Sequence, residues 1–163
     1  MIRNMRWLTI VISLILGLLV AACDDGEETV DSTPTKAQGG SPTAPLNGEE
    51  TTVPISLAEW TITSEQGAGL SVAPGKVTFD VSNDGEVPHE LAVIATDTDP
   101  GDLPEDGAVV DEEAAGELID RTSQIAGDDS ATLTVELPAG AYALICNVEG
   151  HYAQGMFAEL AVE

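Results

Sequence analysis

Basic residues are the scarcest resource of this chain. Five lysines and arginines stand against 29 aspartates and glutamates, for a formal charge of −24 over 163 residues. Such a polyanion repels phosphate backbones, which excludes nucleic acid as a partner. Histidine is rarer still, with two in the whole chain. Two imidazoles are too few for an enzyme built on several copper ions of different type. Two cysteines are likewise too few for a disulfide scaffold. The longest apolar run, Trp7 to Val20, is short for a membrane span.

That run has another use. Arg3 and Arg6 precede it and the small residues Ala21-Ala22 follow it, the three-part pattern of an export signal over residues 1–22. Val20-Ala21-Ala22-Cys23 resembles a bacterial lipobox, which makes Cys23 the lipidated first residue of the exported protein. The expected place of work is therefore outside the cytoplasm, on the outer face of the cytoplasmic membrane, in the periplasm or at the cell surface. Residues 23–52 are acidic and then rich in Thr, Pro, Gly and Ser, too polar to build a core. As a flexible tether this stretch would span about 30 Å root-mean-square. All 29 acids but only Lys36, Lys76 and Arg121 remain after the leader. That field would steer basic partners, or it serves solubility in a saline habitat.

Residues 53–163 hold about one domain's worth of sequence. Short β-branched and apolar runs alternate there with Gly, Pro, Asn and Asp, which predicts an all-β sandwich of seven to eight strands. Expected strands are Val53 to Thr63 with a bulge or bend where the parity changes before Trp60, Gly69 to Ala73, and Lys76 to Ser82. Further strands are expected at Pro88 to Ala95, Ser130 to Leu137, Ala141 to Cys146 and Phe157 to Val162. Asn83-Asp84-Gly85 is a strong turn signal. Residues 97–129 break the rhythm as a long acidic excursion, with a short helix expected near Asp111 to Ile119.

The chemistry gathers near the C-terminus. Cys146, His151 and Met156 follow one another at five-residue intervals, offering a thiolate, an imidazole and a thioether. That mixture of soft and borderline donors suits copper better than zinc, calcium or magnesium. A trigonal site of two histidines and a cysteine with a weak axial methionine needs one more imidazole, and His89 is the other histidine of the chain. Beyond the leader Met156 is the sole methionine. With Cys23 lipidated, Cys146 has no partner for a structural disulfide; a Cys23–Cys146 bridge is the alternative.

These residues resemble the cupredoxins, the small blue copper proteins, and within them the rusticyanin and auracyanin branch. The likeness rests on Asn83-x-Gly85-x3-His89 and on Leu137-Pro138-x-Gly140-x-Tyr142-x3-Cys146-x4-His151-x3-Gly155-Met156. It implies a Greek-key β-sandwich with His89, Cys146 and His151 as equatorial ligands of one type 1 copper ion and Met156 as the axial ligand. Asn83, Glu90 and Asn147 would surround them. Many members carry Asn where this chain has Glu90, which could accept a hydrogen bond from the cysteine loop or reach the metal. The resemblance further implies an electron carrier that docks redox proteins through an apolar patch at His151 with Pro88, Val148, Tyr152 and Ala153; the acidic charge points to basic partners, and a monomer is expected. A binuclear copper centre would need a second cysteine where Gly150 stands. A copper storage, delivery or resistance module is the competing function.

Overall fold

The computed structural model describes residues 50–67 and 69–163. The leader, Cys23 and most of the tether lie outside the described residues. Alternating burial drives the architecture: in β1 (Glu50–Ala58) Val53, Ile55 and Leu57 turn inward, and in β4 (Gly75–Asn83) Val77, Phe79 and Val81 do the same. With β2 (Thr61–Ser64) and β9 (Ser130–Leu137) they form a four-stranded sheet in the order β2-β1-β4-β9. The facing sheet has five strands in the order β3-β11-β10-β5-β8. These are β3 (Leu70–Val72), β5 (Ala92–Ala95), β8 (Glu117–Arg121), β10 (Gly140–Ile145) and β11 (Phe157–Val162). The result is an all-β Greek-key sandwich. It has more strands than expected, because the acidic excursion contributes β8 and a separate ribbon of β6 (Glu105–Asp106) and β7 (Val109–Val110).

Three local expectations are corrected. The parity change before Trp60 is a two-residue reversal rather than a bulge: β1 and β2 pair antiparallel from Ala58 with Thr61 to Ile55 with Ser64. A strand starting at Pro88 is replaced by β5 starting at Ala92; His89 makes an isolated bridge to Ile125. The helix expected over Asp111 to Ile119 is the single turn α1 (Glu112–Ala115), capped by Asp111 Oδ1, which accepts from Ala114 N at 3.1 Å. Gly116 ends it, and residues 117–121 pair with β5 instead.

The excursion has a structural task. The main core between the sheets contains Leu57, Phe79, Leu91, Val93, Leu144 and Leu160. A second cluster lies on the other side of the β5–β10 pair, where Leu103, Val110 and Ala115 of the excursion cover Ala92, Ile94, Ala143 and Ile145. Both faces of β5 and of β10 from Tyr142 onward are thus largely dry, which explains the unbroken apolar runs Leu91–Ala95 and Tyr142–Cys146.

One hydrogen bond braces the turn by which the chain crosses from β9 of one sheet to β10 of the other, the strand that leads to the cysteine. Tyr142 Oη donates to Pro138 O at 2.8 Å from a ring that is buried in the main core. Tyr142→Phe keeps the packing and strands that carbonyl, so we expect a loss of about 1 kcal/mol, read as a lower urea midpoint with unchanged slope.

Candidate metal centre

His89 sits at the end of the β4–β5 turn, and the turn is built around Asn83. The Asn83 side chain is buried; Nδ2 donates to Val87 O at 2.8 Å and to Ile125 O at 2.9 Å, while Oδ1 accepts from Gly85 N at 2.9 Å. His89 and Ile125 then exchange backbone bonds of 3.1 and 2.7 Å, while Thr122 N donates to Leu91 O at 2.9 Å and Leu91 N to Thr122 Oγ1 at 3.0 Å. The end of the excursion therefore straps the first imidazole in place.

Cys146 follows β10, and the loop after it returns to β11 through two left-handed glycines. Gly150 (φ 80°) precedes His151 and Gly155 (φ 99°) precedes Met156. Each lets the chain reverse just before a candidate ligand, a backbone state that costs other residues about 1–2 kcal/mol. Cys146 N donates to Met156 O at 3.1 Å and Met156 N to His151 O at 3.3 Å, so both ends of the loop are tied together.

The structure brings three of the four expected ligands into one cluster. His89 Nδ1 lies 3.1 Å from His151 Nδ1, and Cys146 Sγ lies 3.4 Å from His151 Nδ1 and 3.8 Å from His89 Nδ1. An ion in a trigonal plane, at ~2.0 Å from nitrogen and ~2.3 Å from sulfur, separates its donors by about 3.5 and 3.7 Å. The observed triangle is close to that size, so the residues fit a metal. Met156 is fully buried beside them in the core cluster that also holds Cys146.

Desolvation prepares these groups as ligands. Burial pushes both histidines below their ordinary pKa, His151 adding to the effect on His89, while the Glu59 charge opposes it in both. Neutral imidazoles result, the form that binds metal. Burial pushes the Cys146 thiol up, partly offset by the Glu90 and Val148 N–H groups that point at its sulfur, the former at 3.4 Å. His89 Nε2 is buried without a partner, so packing rather than an outer hydrogen bond orients that ring.

Glu90 directly follows the first imidazole. Its carboxylate lies 3.7 Å from Arg121, whose charge, with a smaller effect from the Asn147 backbone N–H, favours the ionised form. Arg121 also pairs with Glu112, and Glu112 Oε1 accepts from Asn147 Nδ2 at 2.7 Å. Asn147 is held further by Val110, whose N–H its Oδ1 accepts at 2.7 Å. The excursion thus clamps the residue after the cysteine. Sequence reasoning missed Arg121 and Glu112; the available signal was an arginine alone among so many acids.

The expected docking patch is only partly on the surface. Pro88 and Ala153 are exposed and Val148 is half-buried, but Tyr152 is not part of it. Its ring is buried, Oη donates to Pro100 O at 2.8 Å and accepts from Leu103 N at 2.9 Å, and the side chain plugs the second core cluster. His151 is 8% exposed because Trp60, at the β1–β2 turn, stands edge-on against it with centroids 4.9 Å apart. Trp60 and Glu59 were invisible as site residues, since the parity break there reads equally well as a bulge.

The sulfocyanin (SoxE) domain family matches residues 54–163. No curated protein matches the chain. Among solved structures, the fold is similar to auracyanin from the photosynthetic bacterium Roseiflexus castenholzii, at 21% identity and TM-score 0.54, covering 71% of this chain and 99% of that one. Auracyanin A, a "blue" copper protein from Chloroflexus aurantiacus, gives 23%, 0.52, 71% and 100%. Rusticyanin from Thiobacillus ferrooxidans gives 20%, 0.52, 71% and 79%.

Two outcomes test this scaffold in the metal-free protein. Asn83→Ala breaks three hydrogen bonds around a buried turn and should lower stability by about 2–3 kcal/mol in chemical denaturation. Burial raises the Glu90 carboxyl above its ordinary value, with Arg121 opposing. Its stabilising share is therefore complete below the ordinary glutamate range and is lost as pH rises through the higher folded value. As pH rises from about 4 the wild type should lose more stability than Glu90→Gln.

Proposed function

Because the chain belongs to the sulfocyanin (SoxE) domain family, a cupredoxin family, we propose that it shuttles single electrons between redox proteins outside the cytoplasm, tethered to the membrane by lipid on Cys23. The observation that carries this reading is the convergence of two imidazole nitrogens and one thiol sulfur within 4.8 Å in a buried site. The cofactor is one type 1 copper ion, which supplies a one-electron Cu(I)/Cu(II) couple when bound. His89, Cys146 and His151 are the proposed equatorial ligands and Met156 the weak axial one.

The protein's share of the work is to hold this donor set still. His89 is fixed by its bridge to Ile125, Cys146 by its bond to Met156 O, and Asn147 by the Glu90, Glu112 and Val110 contacts. A rigid site requires little rearrangement on electron gain or loss. The N–H groups of Glu90 and Val148 draw charge from the sulfur, which raises the potential.

Burial also bears on the competing reading. A storage or delivery module must surrender its ion to another protein, whereas His89, Cys146 and Met156 are each 0% exposed. An electron needs no such access, so burial favours a carrier rather than a copper donor or an enzyme. The 1–22 leader and 23–52 tether complete the proposal. No helix among the described residues is long and apolar enough to cross a membrane.

The test is a visible and EPR spectrum after one equivalent of Cu(II). We expect intense blue or green colour with narrow copper hyperfine splitting, bleached reversibly by ascorbate. A pale spectrum with wide splitting refutes the site. Cys146→Ala should abolish the colour. Met156→Leu should keep it and raise the potential in voltammetry, because the lost thioether had favoured Cu(II).

A further inference from the structure

A bulky aromatic in left-handed backbone is a genuine outlier, and this chain places one against its metal site. Trp60 has φ 65°, in a two-residue reversal where Gly or Asn would sit without strain. Strain of this kind persists only where the surroundings enforce it, and it gathers at functional sites. Here the enforcement is visible. The neighbouring Glu59 carboxylate accepts from Glu86 N at 2.6 Å and Val87 N at 3.2 Å, Asp84 N donates to Leu57 O at 2.8 Å, and Ser56 Oγ donates to Asp84. Gly85 lies so close to Glu59 that a Cβ would come within 2.7 Å of its oxygen. The turn carrying Trp60 is thereby bolted to the turn carrying His89.

The bolted indole points two ways. One edge meets the His151 ring at 4.9 Å and 79°, leaving that imidazole almost fully covered. The other is open: Trp60 is the exposed large hydrophobic side chain among the described residues, at 36%. What a visiting protein touches first is therefore the indole rather than the imidazole. The turns framing it carry Glu59, Asp84 and Glu86, all exposed, with no basic residue. Lys76 lies at the opposite end of β4 and Arg121 is engaged with Glu90 and Glu112.

We propose that Trp60 is the electron port and docking anchor of the site, bound by a one-electron redox protein with an apolar spot inside a basic rim. This rests on the carrier reading above. One electron passes from the reduced site through His151 and the indole to the partner's acceptor; no bond forms or breaks, no proton moves, and the indole is not itself oxidised. The acidic frame steers the encounter and the flat aromatic surface holds it, in the manner of interface hot spots.

The test uses the full-length, copper-loaded protein in detergent, with cytochrome c as a basic one-electron haem probe and hexacyanoferrate(III) as a small anionic one. Trp60→Ala, Trp60→Gly and Trp60→Phe are compared with wild type, the glycine variant relieving the strained φ so that folding is not at stake. We expect the blue spectrum and potential to stay close to wild type in all three. The rate constant with ferricytochrome c should fall about tenfold or more in the Ala and Gly variants and much less in Phe. The rate with hexacyanoferrate(III) should hold or rise as His151 is uncovered. Raising salt should slow the cytochrome c reaction of wild type and variants alike, since all keep the acidic frame, and leave the wild type ahead. An unchanged cytochrome c rate in blue variants overturns the role of Trp60 alone. Equal losses with both probes, or a shifted spectrum, show a merely structural side chain and also overturn it. A wild type without blue colour removes the carrier reading and this proposal with it.

Discussion

Two imidazoles and a thiol crowded into a dry pocket are an unfavourable arrangement for a protein on its own. His89 and His151 face each other through Nδ1 at 3.1 Å, and Cys146 Sγ completes the triangle with no other side chain to neutralise it. Burial pushes both histidines down and the Cys146 thiol up, which disfavours charge on any of the three by itself. A metal ion resolves that conflict, displacing the thiol proton and meeting all three atoms at once. The remainder of the fold can be understood as the frame that keeps these atoms converged.

The frame has three braces from three parts of the chain. Asn83 knots the turn before His89, and the β1–β2 reversal is tied to that turn through Glu59 and Asp84. The acidic excursion supplies the third: it pairs with His89 through Ile125, clamps Asn147 through Val110 and Glu112, and buries Tyr152 beneath Leu103. A segment that looks like a long loop is thus part of the core, covering the outer side of β5 and β10. Arg121 matters out of proportion to its charge. It balances Glu90 and Glu112, which would otherwise repel each other beside the cysteine loop.

Charge divides the surface from the site. Among the described residues the acids other than Glu90 lie mostly outside, where water screens them, whereas the approach to His151 passes over an indole. On the docking proposed here, a partner would be drawn in by a long-range field and held by a short-range apolar contact, which suits brief encounters between redox proteins.

By itself the sequence determined the chemistry and most of the strands. Rare residues declare themselves: with two histidines and one methionine beyond the leader, the donor set can be named from composition and spacing. Strands with one wet face, such as β4 and β9, are written in a two-residue period that needs no partner to be recognised. The tertiary structure decided what covers what. Glu59 reaches Glu86 across 27 positions, Tyr152 reaches Pro100 across 52, and Trp60 meets His151 from the other sheet's side of the sandwich. Contacts at such separations leave no local period. A tyrosine beside a surface histidine, a helix-like acidic stretch and a parity break at a tryptophan each admit two conformations, and only packing against distant elements selects between them.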